Sequence, residues 1–467
     1  MNTRLEHDLL GDLAVPADAW YGIQTQRALD NFAITGVPIS HFPDFVRALA
    51  MVKKAAALAN RDLGVLAPHK AEAIVEACDD IVAGQLHDQF VVDLIQGGAG
   101  TSTNMNANEV IANLALTKLG HSLGDYQHLH PNDDVNRSQS TNDAYPTAVC
   151  LAVQFAAAPL ERAIIQLKER LEAKGREFAD VVKMGRTQLQ DAVPMTLGQE
   201  FEAFAVNLGE DIDRLHEASL LLCEVNLGGT AIGTGINTPP RYQALAVRYL
   251  AEISGKPVVS ASNLVEASSD MGAFVLFSGI LKRFAVKLGK MCNDLRLLSS
   301  GPRTGLGEIM LPARQPGSSI MPGKVNPVIP EAVNQTAYQV IASDLAVTMA
   351  AEAGQLQLNA MEPLIVYNLL NSMKMLESAC TMLDERCIKD IRANVEQCAR
   401  HLDNSIGIIT ALVPRIGYAN ATRIASQALN SGATVRELVL AESLLQPEEL
   451  DRLLSPRSML APVGDSA

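Results

Sequence analysis

Seven apolar residues, Phe277, Leu281, Phe284, Leu288, Met291, Leu295 and Leu298, recur at steps that alternate between four and three. A stripe of that period stays on one side of an α-helix and needs packing partners along its whole length, as in a helix bundle. It reads as core, not as a cofactor box. Similar periodicity predicts long helices over about 147–178, 197–223, 330–354 and 362–391. Nearly half the chain is hydrophobic, yet only 4% is aromatic, which is the material of helices packed through small side chains. The expected fold class is mainly all-α.

The chain has 467 residues, enough for about three domains by the usual size prior. After about residue 398 the periodic pieces shorten, and Pro456, Pro462 and Gly464 punctuate the end, so a small terminal domain with a frayed tail is expected. The seven cysteines, Cys78, Cys150, Cys223, Cys292, Cys380, Cys387 and Cys398, are scattered and never spaced as Cys-x-x-Cys. That argues for reduced core residues rather than a disulfide framework or a zinc site. A net charge of -14 disfavours nucleic acid and anionic membranes as partners, so an anionic substrate would need local positive charge. No apolar run approaches the length that spans a bilayer, and the acidic start lacks a signal-peptide core. A cytoplasmic protein is expected.

The usual fingerprints of dinucleotide, P-loop, zincin and α/β-hydrolase sites are absent from the sequence. The Gly-rich run 228–235 lacks the Lys and Ser/Thr of a P-loop and reads as a tight loop. Chemistry concentrates instead in polar connectors at 96–106, 130–143, 183–194, 228–240 and 299–330. The last is longer than a compact domain normally tolerates without a functional reason. Within it, Gly317-Ser318-Ser319-Ile320-Met321-Pro322-Gly323-Lys324-Val325-Asn326-Pro327 sets a hydroxyl, a cation and an amide among glycines and prolines, the make-up of an active-site loop. Gly97 to Asn106 and Ser140-Thr141-Asn142-Asp143 offer N–H groups and hydroxyls at helix starts. Each suits a carboxylate, and each is equally an N-cap.

The 317–327 segment resembles the signature of the aspartase and class II fumarase superfamily. The similarity extends through residues 9–11, 15–22, 97–109, 131–136, 185–191 and 353–357, in order along the chain. The resemblance implies a three-part, mostly helical fold: an N-terminal domain at 1–141, a long-helix bundle at 142–397 that forms the core of a homotetramer, and a small helical domain at 398–467. It further implies active sites shared among three subunits, one giving Thr101 and Ser140 to Asn142, another Thr187, and a third the Ser318 loop.

For the aspartases in that superfamily, the implied reaction is reversible elimination of ammonia from a small dicarboxylate, L-aspartate, to give fumarate. Removing a proton beside a carboxylate requires strong stabilisation of the charge that develops on its oxygens. By the resemblance, Thr101, Ser140, Thr141 and Ser319 hold the β-carboxylate as it becomes an aci-carboxylate. Thr187, Lys324 and Asn326 bind the α-carboxylate, Asn142 meets the departing amine, and Ser318 is the general base. A serine base must react as an alkoxide, so its surroundings have to lower its pKa. No organic cofactor is needed, since the carboxylate is the electron sink. No metal ligand is assigned, and activation by Mg2+ is left open.

Gln188 departs from the histidine that many superfamily members carry there, fumarases especially. A neutral amide cannot supply a proton to a leaving hydroxyl, whereas an amine can leave as ammonium, so Gln188 favours the aspartase reading over the alternative, a class II fumarase. A catalytically silent structural protein is the third reading, and the intact Ser318, Lys324, Asn326, Thr101 and Thr187 weigh against it. His121, His128 and His130 read as polar loop surface, with His130 kept as a proton-relay candidate. Arg137, Arg186 and Arg303 either supply local positive field or belong to structural ion pairs. Glu331 could pair with Lys324 or with a histidine.

Overall fold

The computed structural model describes residues 2–455, 458 and 459; the expected frayed tail at Pro456, Pro462 and Gly464 lies outside them. The chain opens with an antiparallel hairpin, β1 (Thr3–Asp8) and β2 (Gly11–Pro16). It continues through α1 (Ile23–Asn31), α2 (Pro43–Asp62), α3 (Pro68–Val82), α4 (Thr101–Lys118) and α5 (Thr141–Glu177). A second hairpin, β3 (Val182–Thr187) and β4 (Gln190–Thr196), leads into α6 (Leu197–Leu221). After it come β5 (Glu224–Val225), α7 (Tyr242–Ser254), β6 (Val259–Ser260), α8 (Leu264–Ala267) and α9 (Gly272–Leu298). The remainder is β7 (Ile309–Met310), α10 (Val328–Glu352), α11 (Glu362–Arg386), β8 (Arg392–Ala393), α12 (Val395–Asn404), α13 (Val413–Ser431), α14 (Val435–Ala441) and α15 (Pro447–Leu453). Every sheet among the described residues has two strands, so the fold is mainly all-α, as the periodicity predicts.

The chain divides into two compact units. The first comprises Met1–Arg162, Asp211–Val286 and Ala337–Glu377; the second comprises Ala163–Glu210, Lys287–Thr336 and Ser378–Ala467. In the first, Asp344 on α10 takes the Ser278 hydroxyl at 2.8 Å and the Lys282 ammonium at 2.6 Å, both from α9. In the second, Arg170 on α5 pairs with Asp384 on α11 at 2.7 Å, and the Asn334 amide on α10 donates to Gly289 O on α9 at 2.9 Å. The second unit also holds a separate apolar cluster of Leu402, Ile408, Leu412, Ile424, Val435 and Val439, with Met184 of β3 among them.

The predicted stripe lies on α9, and none of its seven residues is more than 5% exposed. Two helix boundaries differ from expectation. α11 stops at Arg386 and gives way to a 3-10 turn, Ile388–Asp390. α5 begins at Thr141, earlier than the predicted 147, although Pro146 sits in its second turn. Pro146 has no N–H to give the carbonyl four residues back, Asn142 O; the Asn226 side-chain amide supplies the missing donor at 2.9 Å. α5 is also long and apolar enough to cross a membrane by length and composition, which amends the expectation that no such run exists. Some 61% of that window is buried inside the protein, as in the core helix of a bundle. The 183–194 connector is the β3–β4 hairpin, which helical periodicity did not predict.

Candidate active site

The hydroxyl-rich corner at the start of α5 belongs to the first unit. Ser140 caps the helix: its N–H donates to Asp143 Oδ1 at 2.8 Å, and its Oγ accepts from Asn142 N at 3.2 Å. Asp143 is fully buried, and its Oδ2 accepts from Gly228 N at 2.9 Å and Thr230 N at 3.1 Å. The 228–235 run is thus the tight loop its sequence suggested, with amide groups spent inside the protein. Burial raises the Asp143 carboxyl above the ordinary aspartate range, against the pull of these backbone donors and of Lys53.

Behind the corner lies Lys53, on α2 and wholly buried. Its Nζ donates to Asn104 Oδ1 at 2.6 Å, Asn136 Oδ1 at 2.9 Å and Gln139 Oε1 at 2.9 Å. Burial pulls its pKa down to about 7, with Asp143 opposing. The Asn104 amide in turn donates to Thr141 Oγ1 at 3.2 Å. Seven residues along α2, Asn60 donates to Arg137 O at 2.8 Å and takes the Ser138 hydroxyl at 2.7 Å. Two positions on one helix face therefore fix the turn that precedes Ser140.

These bonds decide what each hydroxyl has left to offer. Thr141 and Ser140 both accept a hydrogen bond from within the protein, so their O–H groups are available as donors to a carboxylate. Asn142 gives its side-chain nitrogen to Ala231 O at 2.7 Å, which leaves its carbonyl oxygen as an acceptor for an ammonium. Thr101, exposed at the start of α4, follows three residues in the left-handed region, Gly98, Ala99 and Gly100. A Cβ on Gly100 would lie 2.5 Å from the Tyr145 ring, so only glycine allows this turn. The Thr101 hydroxyl donates to Gly98 O at 2.8 Å and must rotate to meet a substrate.

The remaining predicted residues belong to the second unit. In the 317–327 loop, Gly317 N donates to Lys324 O at 2.7 Å, and the Asn326 side-chain amide donates to Gly317 O at 2.7 Å. A Cβ on Gly317 would lie 2.7 Å from Lys324 O, so glycine is required at the neck. Ser318 Oγ accepts from Met321 N at 3.0 Å and from Ile320 N at 3.2 Å. Two N–H groups aimed at one hydroxyl oxygen stabilise its deprotonated form. Ser319 and Lys324 are exposed, and Lys324 has no ion-pair partner among the described residues. Ile320 is 84% exposed at the loop tip.

Thr187 ends β3 opposite Gln190, leaving Gln188 and Leu189 as a two-residue turn with φ of 53° and 63°. Hairpin turns with both central residues left-handed favour Asn-Gly; Gln-Leu there is a strained choice that displays Thr187 and Gln188 on an exposed tip. The hairpin is anchored below. Buried Glu308 lies 2.7 Å from Arg186, 2.9 Å from Lys183 and 3.0 Å from His401. Burial would raise its pKa, but Lys183, His401 and Arg186 together hold it below the usual glutamate range. Of the three arginines weighed from sequence, Arg186 is thus a structural ion-pair member. His130 Nδ1 accepts from Asn132 N at 3.1 Å and Asp133 N at 3.2 Å, which makes it the cap of the π-helical turn Pro131–Val135.

The Lyase family model matches residues 11–342, and the model of the fumarase C C-terminus matches residues 408–461. The chain belongs to the aspartase/fumarase superfamily of lyases. It is 65% identical to an aspartate ammonia-lyase of Pseudomonas fluorescens over 98% of this chain and 96% of that one. Among solved structures, it is similar to a fumarate lyase:delta crystallin from Brucella melitensis bound to cobalt, at 62% identity and a TM-score of 0.96, covering 99% and 100% of the two chains. A class II fumarase from Schistosoma mansoni shares the fold at a TM-score of 0.93 with 34% identity, covering 99% and 100% of the two chains. Superfamily members thus keep this fold while their sequences diverge.

Proposed function

We propose that this chain is an aspartate ammonia-lyase, a carbon–nitrogen lyase that interconverts L-aspartate with fumarate and ammonia. The observation that carries the reading is the 65% identity to an aspartate ammonia-lyase along nearly the whole chain, beside 34% to a class II fumarase of the same fold. Gln188 in place of a histidine supports the same choice.

In this reaction Ser318, as an alkoxide held by the Ile320 and Met321 amides, takes the proton from Cβ. The electron pair moves onto the β-carboxylate, which becomes an aci-carboxylate dianion under the hydroxyls of Thr101, Ser140, Thr141 and Ser319. The pair then returns to form the double bond as the C–N bond breaks, and nitrogen departs against Asn142, with Gln188 as a second amide acceptor. Thr187, Lys324 and Asn326 hold the α-carboxylate, and Lys324 supplies the local positive charge that a net-acidic protein needs for a dianionic product. No organic cofactor takes part, and Mg2+ acts only as an activator.

The site is shared among subunits of a homotetramer. Supporting this, α10 leaves Tyr338, Leu345 and Met349 at 58%, 62% and 64% exposure on one face, an apolar stripe that another copy of the chain would cover. The enzyme works in the cytoplasm; its seven cysteines are all unpaired and buried, as suits a reducing compartment. Incubating the purified protein separately with L-aspartate, L-malate, argininosuccinate and adenylosuccinate tests the reading. Fumarate with ammonia from aspartate alone is expected, and fumarate from malate with no ammonia from aspartate overturns it.

A further inference from the structure

The loop between α4 and the Pro131–Val135 turn gathers two imidazoles and a carboxylate that the proposed reaction does not use. His121 and His128 stack ring on ring, with centroids 3.8 Å apart and planes 6° from parallel. Asp125 Oδ2 lies 3.8 Å from His121 Nδ1 and 3.6 Å from His128 Nε2. Neither separation is a hydrogen bond, since N–H···O bonds close to about 3.2 Å or less. All three ligand atoms lie within 4.8 Å of one another.

We propose that His121, Asp125 and His128 form a binding site for a divalent transition metal of the Zn2+ class. Ligands held about 2.0–2.2 Å from a tetrahedral ion stand about 3.3–3.5 Å from each other, so both ring-to-carboxylate gaps need to close by only a few tenths of an ångström. An imidazole binds a metal in the plane of its ring, so the two parallel rings tilt out of their stack to bring both nitrogens onto one ion.

The surroundings hold the carboxylate in the right sense. Gln127 Nε2 donates to Asp125 Oδ1 at 2.9 Å, which occupies the outer oxygen and turns Oδ2 toward the two rings, as an outer-shell partner does in metal sites. The loop backbone is fixed at several points: His121 N to Leu116 O at 2.9 Å, His128 N to Asp125 O at 3.1 Å, and Gly124 N to Asn113 Oδ1 at 2.7 Å. His128 is exposed and the other two ligands are partly so, which gives an ion its path in and leaves the fourth position to water. Two nitrogens and one oxygen select Zn2+ and its neighbours over Mg2+, which asks for an octahedron of oxygens. This donor set therefore does not fit Mg2+, and the site is separate from any Mg2+ activation.

Isothermal titration of the chelator-treated full-length protein with Zn2+, and separately with Mg2+, tests the site. We expect one Zn2+ per chain, no matching Mg2+ event, loss of that binding in the double variant His121→Ala/His128→Ala, and about tenfold weaker binding in Gln127→Ala. The Gln127 variant leaves all three ligands in place, so it reads the site even if the double variant misfolds. Absence of stoichiometric Zn2+ binding overturns the proposal. So does unchanged affinity in both variants, which would assign the ion to another surface pair such as His7 with Asp12, 2.7 Å apart.

Discussion

The corner bearing Ser140, Thr141 and Asn142 and the loop bearing Ser318, Ser319, Lys324 and Asn326 are built from the same kinds of short polar residue, but they are supported differently. The corner rests on groups with almost no solvent exposure, Lys53, Asp143, Asn104 and Asn60, each spending its hydrogen bonds on the turn or on a residue that holds it. The loop rests on its own backbone: a Gly317–Lys324 bond, the Asn326 side chain across the neck, and two amides on Ser318. One region is organised before any ligand arrives. The other closes its neck through glycine but leaves its tip in solvent. A carboxylate whose charge grows during reaction benefits most from donors that need not reorient, and those are the donors of the corner. A base that must meet a carbon acid and then release its product is better placed on a segment that can move.

Ser318→Ala has the largest expected effect. Turnover of aspartate should fall by about 10³-fold, while the circular dichroism spectrum and melting temperature stay as in the parent, because Ser318 braces nothing beyond its own turn. Retained turnover would remove Ser318 from the role of base.

Next in size is Lys53→Met. It takes the ammonium donor from Asn104 Oδ1 and Gln139 Oε1, while Asn136 Oδ1 keeps the Asn104 and Asn108 amides; this costs about 2 kcal/mol or more of stability, read from denaturant midpoints, and it should slow turnover through Thr141 without touching substrate. The pH dependence has a definite sign. The folded pKa, about 7, lies below the ordinary 10.5, so between those values the unfolded chain binds more protons and stability rises with pH. The cost of burying the ammonium is fully felt below pH 7 and fades toward pH 10. The stability gap between the parent and Lys53→Met should therefore widen as pH climbs above 7; a gap independent of pH would mean that Lys53 keeps an ordinary pKa in the fold.

The smallest expected effect is at the strained hairpin tip. Gln188→His should raise malate turnover relative to aspartate turnover several-fold, measured as fumarate formed from each. An equal change for both substrates would show that position 188 does not meet the leaving group.

Much of this could be read from the residues. The α9 stripe announced itself because apolar side chains at steps of three and four leave few alternatives, and the connectors announced themselves because glycine, proline and small hydroxyls serve poorly inside helices. Other features carried no local signal. Lys53 sits in an alanine-rich helix like any solvent-facing lysine, and only the fold reveals that it points inward at three amides. Glu308 lies in a loop whose sequence gives no hint of Lys183, Arg186 or His401 around it. The β3–β4 hairpin carries no such mark because Gln188-Leu189 lacks the Asn-Gly signature of its turn type. The early start of α5 is hidden in the sequence because Pro146 normally argues against a helix around it.

The bond between Asn226 and the helix start constrains the history of the chain. The opening of its longest helix depends on one amide borrowed from a residue 84 positions away, so Asn226 is not free to drift while Pro146 stays. In any descendant where Pro146 gives way to a residue with its own N–H, Asn226 is released from this duty; where Asn226 is lost first, the proline becomes a liability. Substitutions at the two sites should therefore arrive in that order or together.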